Sequence, residues 1–192
     1  MTLRLSEEAA PPSRHYCVIP ISYEITEVFD VSVGVDGRHS LSQTPRSVPP
    51  YTKDYDIVPG QNPRDWARWY DTHNWSVLLA WIEDRAVGGA TMALDAPDVR
   101  MIEGREDLAV LWDLRVHPDF RARGVGHFLF HASEDWARRR GAPGLLVETQ
   151  NTNVPACRFY RRQGCKLIAV EPGVYSDFPE EARLLWLKAT AG

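Results

Sequence analysis

The feature that most constrains the fold is a loop of sequence RARGVG, residues 121–126, between a predicted strand and a predicted helix. Residues 110–116 predict a strand, and apolar residues recur at helical spacing from Val125 to Trp136. Glycine permits sharp turns, and the start of a helix presents free backbone N–H groups and the positive end of its dipole. The loop therefore predicts a site for a pyrophosphate-like anion.

The elements around this loop predict an α/β domain. A short apolar strand at 145–149 is followed by a helix at 153–163 and by strands at 167–170 and 183–188. Alternation of strands and helices requires at least one parallel strand pair. Upstream, residues 75–81 and 86–94 predict an antiparallel hairpin, in which Gly88 and Gly89 indicate a bulge or a close backbone approach.

The N-terminal part of the chain is less regular. Residues 1–15 predict a flexible tail, and residues 34–60, rich in proline and serine, predict a long loop. A helix is expected to begin at Asn62-Pro63, with asparagine as its cap. We therefore expect one domain over residues 16–192.

A second motif, N-x-x-A-x-x-F-Y-x-x-x-G, occupies the predicted helix at 153–163. Asn153, Ala156 and Tyr160 are three and four residues apart, so they share one helical face. The small Ala156 would let a ligand chain pass near the helix, and the phenol of Tyr160 could donate a proton. The alternative is that Tyr160, like Phe159, is a core aromatic residue.

Two carboxylates in apolar strands are candidates for proton transfer. Asp113 stands between two apolar residues, and Glu148 lies near the end of the strand at 145–149. Carboxylates in such surroundings serve as bases or as anchors for a cation. The alternative for each is a structural carboxylate, paired for example with Arg115.

Composition and pattern exclude several other classes of protein. The formal net charge of −4 gives no basic surplus for nucleic acid or an anionic membrane. No apolar run approaches the ~20 residues of a membrane span, and the N-terminus lacks the apolar core of a signal peptide. Three widely spaced cysteines and scattered histidines predict neither a disulfide framework nor a metal site. A Rossmann dinucleotide site would need the pattern G-x-G-x-x-G. We expect a cytoplasmic protein without a metal.

In this order and spacing, the two motifs resemble the GCN5-related N-acetyltransferases (GNAT), over about residues 111–167. Within that family, residues 148–160, of sequence ETQNTNVPACRFY, are similar to streptothricin acetyltransferases, as are residues 112–116, Val174-Tyr175 and residues 185–187. The chain departs from the family at Cys165, where phenylalanine is usual, and at Pro155, which is more often alanine in the antibiotic enzymes.

The resemblance implies a mixed, mostly antiparallel twisted sheet with a parallel central pair splayed around acetyl-CoA and helices on both faces. It implies that residues 16–109 shape the acceptor site and residues 110–192 bind acetyl-CoA. The residues implied to bind acetyl-CoA are Leu114, Arg115, Val116, Arg121, Arg123, Gly124, Val125, Gly126, His127, Asn153, Ala156 and Tyr160. The implied catalytic residues are Tyr160, as general acid, with Glu148 and Asp113; the acceptor is implied to contact Asp113, Glu148 and Tyr175.

The acceptor stays open at this point. The leading hypothesis is transfer to a primary amine of a small molecule, with a streptothricin-type antibiotic as the first candidate and a homodimer expected by analogy. The alternatives are acetylation of a protein N-terminus or lysine, and a non-catalytic acyl-CoA-binding sensor.

Overall fold

The computed structural model describes residues 2–99, 101 and 105–190. The strands, in chain order, are β1 (Arg4–Ala9), β2 (Tyr23–Val28), β3 (Val31–Val33), β4 (His39–Leu41), β5 (Arg46–Lys53), β6 (Trp75–Ile82), β7 (Arg85–Ala93), β8 (Ala109–Val116), β9 (Gly144–Gln150), β10 (Lys166–Pro172) and β11 (Ala182–Ala189). The helices are α1 (Arg14–Cys17), α2 (Trp66–Trp69), α3 (Val125–Arg139) and α4 (Val154–Arg162).

Contacts within the chain group these elements into two compact units. The first unit contains residues 1–22, 54–145 and 189–192, and the second contains residues 23–53 and 146–188. The single domain expected over residues 16–192, and its two functional halves, stay predictions. Met1 of the predicted tail, and residues 100, 102–104 and 191–192 of the predicted domain, lie outside the described residues.

The first unit is built on an antiparallel sheet with strand order β1-β6-β7-β8. The predicted hairpin is confirmed as β6 and β7, whose residues are mostly buried. Helix α3 packs on β6, β7 and β8. Its buried positions include Val125, Leu129 and Trp136, so the helical periodicity read from the sequence is confirmed.

Adjacent glycines on β7 allow the layers of this unit to approach closely. A Cβ at Gly88 would lie 2.8 Å from Val125 Cγ1 and 2.9 Å from Leu129 Cδ1, both on α3. A Cβ at Gly89 would instead overlap the ring of Tyr16. The close backbone approach predicted at these glycines is therefore confirmed, and it seats the first turns of α3 directly on the sheet.

The prediction of a flexible tail over residues 1–15 is wrong for the segment that forms β1. This strand pairs with β6 along its whole length, from Arg4↔Trp81 to Ala9↔Ser76. The charged residues of β1 mask the alternating pattern that would predict a strand. In the structure, Glu7 accepts hydrogen bonds from Trp136 Nε1 at 3.1 Å and from Arg140 at 3.0 Å. These long-range contacts fix a segment that has little apolar pattern of its own.

The helix expected to begin at Asn62-Pro63 is shorter than predicted. Residues 62–65 form turns, in which Asn62 Oδ1 accepts the Arg64 N–H at 3.1 Å, and regular helix is limited to α2. Trp66 is buried against the rings of Tyr16, Trp75 and Trp112, whereas Trp69 is 61% exposed.

In the second unit the strand order is β9-β11-β10, with α4 between β9 and β10 in the chain. The predicted start of α4 is confirmed, because Asn153 is the N-cap and its Oδ1 accepts the Ala156 N–H at 3.1 Å. The predicted glycine at its end is confirmed as well, since Gly164 has a φ of 80°.

The prediction of a long loop over residues 34–60 is wrong. Strands β4 and β5 lie within it: β4 forms a hairpin with β3, and β5 pairs antiparallel with β2. The register of that pair shifts between Ile25 and Glu27, so Pro49 and Pro50 fall where the ladder is interrupted. Prolines that read as loop residues are accommodated at a bulge, because the missing N–H is not needed there.

The fold class implied by the resemblance is confirmed, because the structure is mixed α/β with a mostly antiparallel sheet, a parallel pair and helices. Among the described residues, no helix has both the length and the apolar character needed to cross a membrane.

Candidate acyl-transfer site

The predicted anion loop lies between the end of β8 and the start of α3. Gly124 is the N-cap of α3, with a φ of 86°, and the cap makes no side-chain hydrogen bond. The first N–H groups of a helix have no intrahelical partner, so this end presents donors to a ligand. A Cβ at Gly124 would meet no atom within 4 Å. Open space in front of an uncapped helix end fits a pyrophosphate.

The two arginines of the loop have different surroundings. Arg121 donates through Nε to the Val116 carbonyl at 3.1 Å and through Nη2 to the Ser22 carbonyl at 2.9 Å. Burial lowers the pKa of Arg121. Arg123 is exposed, and its guanidinium lies 5.8 Å from the centre of the Phe120 ring. Arg121 thus ties the loop to the backbone, and Arg123 is the loop cation that faces solvent.

Beyond the N-cap, Val125 is buried, Gly126 is half-buried and the exposed His127 ring packs against His131 at 4.3 Å. A β-bulge interrupts the strand before the loop. Thr91 pairs with Asp113 but Met92 pairs with Leu111, so Trp112 is an extra residue on β8. Leu114 and Val116, which follow the bulge, are half-buried.

Asp113 is held in a buried network within the first unit. Arg115 grips it with two hydrogen bonds, Nε to Oδ1 at 2.9 Å and Nη2 to Oδ2 at 2.7 Å, and Tyr16 donates to Oδ1 at 2.5 Å. Burial followed by the Asp113 charge raises the pKa of Tyr16 well above its usual value. The geometry supports the structural alternative for Asp113, because both of its oxygens are already engaged.

Arg115 also links segments that the sequence did not connect. Its Nη1 donates to the Ile19 carbonyl at 3.0 Å and to Asp56 Oδ1 at 3.1 Å. Burial opposes its charge, but Asp113 and the other partners outweigh it and raise the pKa of Arg115. Sequence reasoning missed Tyr16 and Asp56, since no local pattern marks partners that lie 97 residues from Asp113 and 59 from Arg115.

Glu148 lies in a half-buried polar cluster of the second unit. Tyr175 donates to Glu148 Oε1 at 2.7 Å and accepts from Gln150 Nε2 at 2.9 Å. Burial raises the pKa of Glu148, while the hydrogen bond from Tyr175 and the charge of Arg183 oppose that shift. Burial and the charge of Glu148 raise the pKa of Tyr175. The structure therefore brings the predicted residues Glu148 and Tyr175 into direct contact and adds Gln150, which the sequence did not single out.

Helix α4 presents the residues of the second motif. Asn153 and Ala156 are half-buried, and Tyr160 is buried at 6% exposure with its ring 5.1 Å from Phe159. The Asn153 Oδ1 caps the helix by accepting one hydrogen bond, and its amide N–H groups can donate to a further partner.

Cys157 does not have the surroundings of a nucleophile. Burial raises the pKa of the Cys157 thiol to about 11, with an opposing hydrogen bond from Thr149. A thiol that stays protonated at neutral pH does not form an acyl-enzyme readily. Across residues 2–99, 101 and 105–190, no three His, Cys, Asp or Glu side chains cluster as metal ligands.

The first unit presents an uncapped glycine turn at the N-terminus of α3, and the second unit presents the half-buried Glu148 in contact with Tyr175; each of these features is expected of an acyltransferase. The family model of the Acetyltransferase (GNAT) family matches residues 41–165, and the chain belongs to this family. The prediction of an acetyl-CoA-dependent acetyltransferase is thereby confirmed at the level of the family.

Comparisons with individual proteins are more specific than the match to the family model. The chain is 30% identical to the streptothricin acetyltransferase of Escherichia coli, over 84% of this chain and 82% of that enzyme. It is 38% identical to streptothricin acetyltransferase A of Bacillus subtilis (strain 168), over 41% of this chain and only 46% of that enzyme. The crystal structure of a putative streptothricin acetyltransferase from Bacillus anthracis str. Ames, in complex with acetyl coenzyme A, is 22% identical with a TM-score of 0.75, over 98% of this chain and 99% of that one. The last likeness shows the fold.

Proposed function

We propose that this protein transfers an acetyl group from acetyl-CoA to a primary amine of a streptothricin-type antibiotic. The observation that carries the proposal is the half-buried carboxylate of Glu148 in contact with Tyr175. Burial raises the pKa of this carboxylate, against the opposing hydrogen bond from Tyr175, and suits it to accept a proton from a protonated amine. The streptothricin acetyltransferases among its relatives supply the first acceptor to test.

The donor side of the site belongs to the first motif and to α4. The N-terminal N–H groups of α3, from Val125 to His127, with Arg123 would hold the pyrophosphate, since they combine dipole and charge at an open glycine turn. The backbone from Leu114 to Val116, which follows the bulge, would hold the pantetheine arm as an added strand. Asn153 and Ala156 would contact the same arm. Bound acetyl-CoA supplies the acetyl group as a thioester.

Proton transfer is assigned to two side chains. A free alkylamine has a pKa near 10.4 and is mostly charged at neutral pH, so a base must accept its proton before attack. Glu148 is the proposed base. As the amine nitrogen bonds to the carbonyl carbon and the carbon–sulfur bond breaks, Tyr160 donates a proton to the leaving sulfur. The second proton that the nitrogen loses then restores the Tyr160 phenol. Backbone N–H groups beside the bulge would polarise the carbonyl oxygen.

The acceptor is tested by thiol release with acetyl-CoA and a panel of amines. We expect turnover with streptothricin and weaker turnover with simple diamines, and none with a peptide N-terminus. Calorimetry with acetyl-CoA and CoA runs alongside. Turnover confined to peptides would show that the acceptor is a peptide amine and not a streptothricin-type antibiotic. Tight acetyl-CoA binding without turnover on any amine would favour a sensor.

The role of Tyr160 is tested by Tyr160→Phe, which keeps the ring and removes the hydroxyl. We expect kcat to fall by about 10²-fold or more, as for loss of a general acid, with the acetyl-CoA Kd changed less than threefold. Phe159→Leu on the same turn is the matched control. Equal kcat in Tyr160→Phe would remove Tyr160 from the acid role. The homodimer and the cytoplasmic location stay predictions.

A further inference from the structure

A buried ion pair in the second unit takes no part in the chemistry proposed above. Lys53, at the end of β5, pairs with Glu181, just before β11, and the two side chains are 7% and 3% exposed. The Lys53 ammonium also lies 4.0 Å from the centre of the Phe178 ring. A buried ion pair gains little stability over an apolar pair, because both charges lose their hydration. Its better attested use is to specify one arrangement of the segments that it joins.

The segment that Lys53 holds is the one that carries Tyr175. Residues 175–181 form two successive turns, in which the Phe178 N–H donates to the Tyr175 carbonyl at 3.2 Å and the Glu181 N–H donates to the Phe178 carbonyl at 2.9 Å. Lys53 contacts both Phe178 and Glu181. The backbone of Tyr175 is therefore one turn away from an anchored ring.

The same pair is joined to the end of the strand that carries Glu148. Thr152, two residues beyond β9, donates its hydroxyl to Glu181 Oε1 at 3.0 Å. Asn151 Oδ1 accepts the Ala182 N–H at 2.8 Å. The Lys53–Glu181 pair is thus linked both to the segment that carries Tyr175 and to the end of the strand that carries Glu148.

We infer that Lys53 is a positioning residue, which holds Tyr175 in hydrogen-bond contact with Glu148 by anchoring Phe178 and Glu181. The inference rests on the proposed role of Glu148 as the base.

The charged and titratable groups that act on Glu148 come from three elements. They are Tyr175 of the anchored segment, Arg183 on β11 and Glu171 on β10. The Tyr175 O–H stabilises the carboxylate and so lowers the pKa of Glu148. Losing this hydrogen bond therefore raises the pKa of Glu148. The acid limb of kcat/KM against pH then moves to higher pH.

The experiment measures kcat/KM against pH for the unmodified protein, Tyr175→Phe, Lys53→Met and the double variant. We expect each single substitution to move the acid limb to higher pH. In the double variant the limb lies where Tyr175→Phe alone places it, because Lys53 acts through Tyr175. Arg46→Met, which removes an exposed pair with Asp30 from the same strand, is the matched control and leaves the limb in place.

Two results would overturn the inference: a lower rate with an unmoved limb in Lys53→Met, or additive shifts in the double variant. Where Lys53→Met does not fold, Phe178→Leu keeps the ion pair and loosens the segment, and we expect a smaller shift in the same direction. An unmoved limb there also rejects the role of Lys53. Failure of the proposed function is a separate result, since Glu148→Gln would then retain the acid limb.

Discussion

Gly88 lies on β7 against the first turns of α3, so one added methyl group there should disturb the proposed pyrophosphate site at the N-terminus of that helix. A Cβ at residue 88 would lie 2.8 Å from Val125 Cγ1, 2.9 Å from Leu129 Cδ1 and 3.1 Å from the Arg115 carbonyl oxygen, against 3.4 Å or more in ordinary contacts. Leu129 can move its terminal methyl, but the backbone of β8 and the branched Val125 have little freedom. The first turn of α3 must therefore shift by roughly half an ångström.

We expect Gly88→Ala to lose about 1–3 kcal/mol of unfolding free energy, the usual cost of overpacking a core. Because Val125 directly follows the N-cap Gly124, the shift also misplaces the N–H groups proposed to hold the pyrophosphate. We expect the acetyl-CoA Kd to rise on the order of tenfold, which corresponds to about 1.4 kcal/mol. Urea denaturation and calorimetry measure the two quantities separately.

Gly89→Ala is the matched control. Its Cβ would overlap Tyr16 and leave α3 untouched, so we expect a comparable or larger loss of stability with little change in acetyl-CoA affinity. If both variants weakened acetyl-CoA binding equally, or if Gly88→Ala were destabilised with an unchanged Kd, the link between the glycine contact and the donor site would be wrong.

Three further substitutions test the network, the base and the cap. Arg115→Met leaves the buried Asp113 without its counter-charge and should cost about 3–5 kcal/mol in urea denaturation; a loss below about 1 kcal/mol would contradict the buried network. Burial raises the pKa of Glu148, and the base form is the deprotonated one, so kcat/KM should rise with pH as Glu148 loses its proton. Glu148→Gln should lower kcat/KM by about 10²–10⁴-fold and abolish that rise, and a retained rise would assign the base elsewhere. Asn153→Ala removes the acceptor for the Ala156 N–H and should cost about 1 kcal/mol in thermal unfolding, whereas an unchanged Tm would show that the cap contributes little.

The second half of the chain was predictable because its signals are local. Helical spacing from Val125, the cap at Asn153 and the glycine at 164 each act within a few residues, and α3 and α4 form where these signals place them. Strands β1 and β5 were missed for the converse reason. Charged residues in one and prolines in the other weaken the local pattern, and pairing with β6 and β2 forms the strands regardless.

By itself, the sequence determined the order of elements in the second half of the chain, the glycine turn before α3 and the two carboxylates that deserved testing as bases. It did not distinguish Asp113 from Glu148, since both stand in apolar strands. The tertiary structure separates them by the partners that folding brings together: Asp113 meets Arg115 and Tyr16, whereas Glu148 meets Tyr175, 27 residues away. Local sequence pattern specifies where a strand lies, and only the packed chain decides which of its charges is already neutralised.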